Sequence, residues 1–176
     1  MSDQSEILWQ PGERECQNSN LARYMAWLAE AGYGTFENYS ALHAWSIADI
    51  ERFWASIWEY TGVIASQPYT RVLGDARMPG AEWFPGARLN FAENLLRHAL
   101  HGDPHHEAVV AVSESRPERR LTRGELLDQV ARLQAYLKSQ GVGVGDRVAG
   151  VVGNTEHALI GMLAATGLGA IWSSAS

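Results

Sequence analysis

Residues 147–176 read RVAGVVGNTEHALIGMLAATGLGAIWSSAS. The β-branched run over 147–152 predicts a strand, Thr155 opens a helix that runs to about Thr166, and 170–173 returns as a strand. Strand, helix and strand in that order make a right-handed crossover unit with parallel strands. The uncharged stretch 158–172 contains Gly161, Gly167 and Gly169. It is shorter than the ~20 apolar residues of a membrane span, so it predicts a buried helix passing into a buried strand. A parallel sheet ordinarily has several strands and two covered faces. Only the second parallel strand has begun when the sequence stops at Ser176, so an incomplete domain with an open sheet edge is expected.

Working back toward the N-terminus, GVGVGD at 141–146 superficially suggests a dinucleotide loop. That loop follows a strand and opens a helix, whereas this run follows a helix and opens a strand, so it reads as a connector. The helix before it starts at a capping box of Thr122 and Glu125, carries Leu126, Val130, Leu133 and Leu137 on one stripe, and stops at Gly141. Before that, 108–112 is β-prone, 113–117 is a turn, and 119–121 returns as a hairpin strand. Asn90 caps a short helix with Phe91, Leu95 and Leu96 that ends near His101 and Gly102.

The N-terminal half predicts helices joined by aromatic-rich irregular segments. Leu21, Tyr24, Met25 and Leu28 recur at helical spacing, with Ser19 or Asn20 as cap and Gly32 and Gly34 as stops. A second helix is expected to begin at Ser46, with Asp49 three residues on, and to carry Ile47, Ile50, Phe53, Trp54, Ile57 and Trp58 as far as Gly62. Its wide aromatic face requires a partner surface. Residues 67–86, with Pro68, Pro79 and Pro85, cannot form a regular helix and are expected to lie as an extended strap.

Composition excludes several functions. The chain has 176 residues, 46% of them hydrophobic and 19% charged, which suits one domain plus an appendage rather than a large multidomain enzyme or a disordered chain. Net charge is −6, and the only cluster of basic residues is Arg116, Arg119, Arg120 and Arg123. With Glu114, Glu118 and Glu125 beside it, the cluster reads as a solvated, neutralised turn and not as a nucleic-acid patch. Lys138 is the one lysine, and it follows Leu137 within a helix, so there is no phosphate loop of the glycine-lysine type. The single Cys16 suits a reducing, cytoplasmic compartment, and residues 1–10 lack the basic and apolar regions of a signal peptide. No membrane partner is expected.

Bland readings hold for most candidate chemistry. His98, His101, His105 and His106 with Asp103 read as a surface loop in place of a metal cluster. Ser113 and Ser115 sit in a turn outside any nucleophile elbow, and His157 stands at a helix entry. These residues define an α/β piece with a helical N-terminal appendage and no reaction.

Three stretches together resemble the acyl-CoA synthetases of the adenylate-forming superfamily. They are Trp45-Ser46-Ile47 through Phe53-Trp54 and Ile57-Trp58; Met78-Pro79-Gly80-Ala81 followed by Trp83-Phe84-Pro85-Gly86-Ala87-Arg88-Leu89-Asn90-Phe91-Ala92-Glu93-Asn94; and Gly141-Val142 with Gly145-Asp146-Arg147-Val148, then Asn154, Glu156 and Gly169-Ala170-Ile171-Trp172-Ser173-Ser174. Within that superfamily, Pro85-Gly86-Ala87-Arg88, Ala92-Glu93-Asn94 and Trp172-Ser173-Ser174 make the acetoacetate–CoA ligases the most similar branch. The likeness implies an α/β fold: a helical cap over 1–104, then over 105–176 the first part of an αβα sheet subdomain, with its parallel sheet incomplete.

The resemblance also implies a parent chemistry. ATP and a small-molecule acid give an acyl-adenylate and pyrophosphate, and the CoA thiol then displaces AMP, with Mg on the phosphates. The family's phosphate loop, metal carboxylate, ribose aspartate and catalytic lysine have no counterpart in 1–176, so no catalytic or metal residue is assigned and this chain alone is expected to be inactive, binding no cofactor. Its implied partner is the remainder of the same enzyme. Trp172, Ser173 and Ser174 are the candidate CoA or substrate neighbours. A stand-alone binding module and a fragment of an acetyl- or propionyl-CoA synthetase are the competing expectations.

Overall fold

Four short polar side chains fix where helices begin. Ser19 accepts a hydrogen bond from the Ala22 N–H, Asn38 from Ala41, Asp49 from Arg52 and Asn90 from Glu93. Each satisfies a donor that a helix N-terminus would leave unpaired. The computed structural model describes residues 8–175; the reading of 1–10 as no signal segment falls mostly outside them. Helices α1 (Glu13–Asn18), α2 (Asn20–Glu30), α3 (Tyr39–Ala48), α4 (Ile50–Tyr60) and α5 (Phe91–His101) come first. Strands β1 (Glu107–Ser113) and β2 (Arg116–Thr122), helix α6 (Arg123–Ser139), strand β3 (Arg147–Val151), helix α7 (Glu156–Gly167) and strand β4 (Ile171–Ala175) follow. The fold is mixed α/β, as expected, and divides into two compact units: residues to Val63 with Tyr69–Gly86, and Ile64–Pro68 with everything from Ala87 onward.

The first unit has an aromatic core. Tyr24, Leu28 and Leu42 are buried, with Trp27, Phe36, Trp45, Phe53 and Ile57 packed around them. The Tyr24 hydroxyl lies 2.5 Å from Ser56 Oγ, which itself donates to the Phe53 carbonyl, so the buried polar atoms are satisfied. The single helix expected from Ser46 is two helices. Ser46 Oγ donates back to the His43 carbonyl inside α3, and Asp49 supplies the cap that starts α4. The aromatic face of α4 finds partners but is not fully buried: Trp54, 37% exposed, packs on Trp83, and the half-buried Trp58 on Tyr69 and Phe84. Those partners come from a segment that is not an extended strap. It doubles back on itself, with Gly74 N–H donating to the Glu82 carbonyl, Phe84 N–H to Val72 and Thr70 N–H to Pro85.

In the second unit α5, α6 and α7 pack together over β1 and β2. Their shared core is Ala92, Leu96, Leu121, Leu126, Val130, Ile160, Leu163 and Ala164. The capping box at Thr122 and Glu125 is present, and Gly141 follows the end of α6. β1 and β2 form an antiparallel hairpin, and β3 pairs in parallel with β4, Val148 opposite Trp172 and Gly150 opposite Ser174. The expected burial of the strand after α7 is corrected: Ile171 is 56% exposed, and Ser173 and Ser174 are exposed, because α7 covers one face of the pair and side chains alternate between faces. Among the described residues no helix is long and apolar enough to cross a membrane.

Asn90 does two jobs here. Besides capping α5, its Nδ2 donates to the Thr166 carbonyl at the end of α7, at 2.8 Å. Asn90→Ala is expected to cost about 2 kcal/mol, a lost cap plus an unpaired carbonyl. Thr122→Ala loses only a cap and is expected to cost about 1 kcal/mol. Urea unfolding of the two variants checks the order; equal losses would mean that the Asn90 link to α7 contributes nothing.

Candidate functional site

In an open parallel α/β sheet, ligands bind in the crevice outside the carboxyl ends of the strands. In the second unit that edge comprises the 152–155 loop after β3, the first turn of α7, and Ser174 and Ala175 at the end of β4. Gly153, Asn154, Ser174 and Ala175 are exposed. Val152 N–H donates to the Ala175 carbonyl, which holds the loop beside the end of β4.

The three residues singled out from sequence all lie on β4, in different surroundings. Trp172 is half-buried, and its indole fills the space where two glycines lack side chains. A Cβ on Gly161 of α7 would stand 2.6 Å from Trp172 Cη2, and one on Gly150 of β3 would stand 2.5 Å from the same atom. The ring is therefore wedged between β3 and α7. Ser173 is exposed on the opposite face, and Ser174 is exposed opposite Gly150.

Sequence reading missed the strongest electrostatic feature of this edge. Glu156, the first residue of α7, is 3% exposed. Arg116 Nη2 reaches its carboxylate at 3.2 Å and Arg119 Nε at 3.4 Å, both from β2, while His157 Nδ1 lies 3.6 Å away. The reading of the arginine group as a solvated, neutralised turn beside Glu114, Glu118 and Glu125 holds for Glu118 and for solvation, and is corrected in that Arg116, Arg119 and Arg120 lie on strand β2 and their other partners are Glu107 and Glu156. Arg116 and Arg119 serve Glu156, and Arg120 pairs with Glu107 and Glu118. One signal was available: Glu156 is the only carboxylate between Asp146 and the end of the sequence, beside a helix with almost no other polar side chain.

Burial pushes the Glu156 carboxyl up. Its own backbone N–H, Arg116 and His157 outweigh that and hold it below the ordinary value of 4.5. Beside it, Val109, Val110, Ala111 and Val112 of β1 face Asn154, Thr155 and Leu159 across a cleft of about 390 Å³. In the first unit, burial and the Glu59 carboxylate raise the Tyr33 hydroxyl to about 12, which leaves it a hydrogen-bond donor and no acid at neutral pH. Among the described residues no group of three or more metal-ligating side chains gathers, and Lys138 lies in α6.

This edge and its topology define a class: the opening βαβ unit of a ligand-binding α/β domain. Residues 39–95 match the family described as acetyl-coenzyme A synthetase N-terminus, and residues 96–175 match AMP-binding enzyme. Acetoacetyl-coenzyme A synthetase of Rhizobium meliloti (strain 1021) is 40% identical over 169 residues, 96% of this chain and 25% of that protein. Malonamoyl-CoA synthetase of Penicillium aethiopicum is 39% identical over 149 residues, 82% of this chain and 20% of that protein. The solved acetoacetyl-CoA synthetase from Streptomyces lividans superposes with a TM-score of 0.86 at 42% identity, over 97% of this chain and 26% of that one. The chain belongs to the AMP-binding family of acyl-CoA synthetases and spans about a quarter of the length of the curated relatives it matches.

Two outcomes test the site geometry. Gly161→Ala gains up to ~1 kcal/mol of helix propensity but collides with the indole, an overpacking cost of about 1–3 kcal/mol, so net destabilisation is expected. Adding Trp172→Leu should recover most of it, and thermal melts that find no recovery would remove the wedge. For Glu156, a depressed folded pKa means that its stabilisation is complete above about pH 4.5 and is lost as pH falls below that value. Glu156→Gln should therefore show a shallower acid limb in urea midpoints below pH 4.5 than the parent chain; parallel limbs would contradict the ion-pair account.

Proposed function

We propose that the chain is the N-terminal part of an ATP-dependent acid–thiol ligase that converts acetoacetate and CoA to acetoacetyl-CoA through an acyl-adenylate. The observation that carries this reading is the superposition on a solved acetoacetyl-CoA synthetase over 97% of the chain, at 42% identity. On this reading 1–104 is the cap and 105–176 the first part of the AMP-binding domain. Acetoacetyl and malonamoyl groups, named for two of the relatives, both carry a second carbonyl at C3. A short carboxylate with a carbonyl at that position is the substrate class this supports, ahead of acetate or propionate.

The work of this segment is binding and scaffolding. The first turn of α7, where a helix would otherwise attract an anion, is already occupied by the Glu156 carboxylate. The phosphates of ATP and their Mg accordingly belong to the rest of the enzyme, the partner of this chain. Trp172, Ser173 and Ser174 remain the residues proposed to lie near CoA or the acid, Ser174 at the strand end, Ser173 on the open face of the sheet and Trp172 between β3 and α7. A cytoplasmic location accords with the single exposed Cys16.

The test is pyrophosphate release with acetoacetate, malonamate, acetate and propionate. The 176-residue chain should release none above background. The complete polypeptide carrying this segment should favour the acids with a carbonyl at C3. Turnover by the short chain would overturn its assignment as a part without the reacting groups, and a preference for acetate would place it with the acetyl-CoA synthetases.

A further inference from the structure

We propose that Glu156 is a positioning residue for the strand-end crevice, a buried carboxylate that ties the 152–155 loop to the β1–β2 hairpin and so sets the geometry a bound ligand meets. What binds there rests on the function proposed above; the positioning itself does not.

Glu156 is the one charged side chain buried among the described residues. Burying a carboxylate is costly unless it is paired and hydrogen-bonded, and an apolar residue would fill the same space at lower cost. The charge here is met from two directions. Arg116 and Arg119 approach from β2, far earlier in the chain, and His157 from α7 itself. The arginines themselves are exposed, at 41% and 57% of the side chain, so their far sides stay in water while their near sides meet the carboxylate. That arrangement fixes a direction as well as a contact.

The loop has few other restraints. Thr155 stands at the cap position of α7 without a side-chain cap bond, its N–H going to the Gly153 carbonyl. Gly153 has no side chain and Asn154 is exposed. Backbone bonding to β4 is confined to Val152. The core packing of Ile160 and Leu163 with Leu121 sets α7 against the hairpin, and the Glu156 pairs extend that hold to the very start of the helix, next to the loop. The carboxylate touches no proposed reacting atom and acts through the loop, which distinguishes it from a catalytic residue.

Hydrogen exchange on the 176-residue chain tests the tie. Glu156→Gln should speed exchange of amides 153–157 by about tenfold or more while α6 core amides keep the parent rate, the pattern of local and not global opening. The double variant Arg116→Met with Arg119→Met should reproduce that pattern, and Glu156→Asp should restore part of the protection. If Glu156→Gln does not fold, the arginine variant carries the measurement. Unchanged loop exchange, or a uniform rise including α6, overturns the positioning role. In the complete ligase, Glu156→Gln should raise KM for CoA or the acid about tenfold with kcat less affected. A loosened loop with unaltered kinetic constants overturns the link to the crevice. Absence of adenylate formation by the parent ligase overturns the function alone and leaves the exchange result to decide the tie.

Discussion

The second unit depends on the burial of α7. Ile160, Leu163, Ala164 and Ala165 are almost inaccessible, and the helix has no polar stripe along which water could reach it. Such a helix can be enclosed only if its neighbours come close. Its small residues permit that: Gly161 admits the Trp172 indole, and the missing side chain of Gly167 leaves room for Gln134 of α6 and Ala92 of α5. Enclosure has an electrostatic consequence at the start of the helix. The first turn is drawn beneath the hairpin, so Glu156 is buried with it, and a buried carboxylate must find cations. Arg116 and Arg119 are therefore part of the packing of α7 as much as of the surface of β2.

The first unit solves a different problem. Its α4 presents Trp54 and Trp58 to a segment held by a few backbone bonds between its own two arms and no regular strand. Ring packing adds to those bonds: Trp58, Tyr69 and Phe84 meet with centroids 4.7–5.2 Å apart. The same packing fixes Phe84 at a φ of 50°, a conformation a bulky residue adopts only when its surroundings over-determine it. Large flat side chains make this possible, since each brings much apolar area at the cost of few torsions.

Local signals were legible in the sequence where the physics is local. The Asn90 cap, the Thr122–Glu125 box, the stripe on α6 and the parallel β3–α7–β4 unit all follow from residues a few positions apart. The misreadings come from competition or distance. Ser46 resembles a cap but bonds backward to His43, while Asp49, three residues on, takes the role. Helix α3 carries no clean apolar stripe, so its separation from α4 left no periodic trace. Residues 67–86 gave up their irregularity but not their doubling back, which depends on bonds between residues eight to fifteen positions apart. The Glu156 pairs with β2 and the glycine slot around Trp172 join residues distant in sequence, and no spacing rule reaches them. The candidate site residues came through resemblance, because nothing in their own chemistry sets a tryptophan and two serines apart.

The alternation of β4 puts those three residues in different surroundings. Trp172 points toward α7, into the space left by Gly150 and Gly161. Ser173, one position on, must face away, on the side where Val151 and Ile171 are also exposed. Ser174 returns to the α7 side, but opposite Gly150 and near the carboxyl end, where it is exposed beside the Val152 and Ala175 pairing. Ser174 therefore lies at the strand-end edge with Asn154 and Thr155, whereas Ser173 lies on the open face of the sheet and Trp172 between β3 and α7. The indole sets where the strand lies, and Ser174 is the member of the trio exposed at that edge.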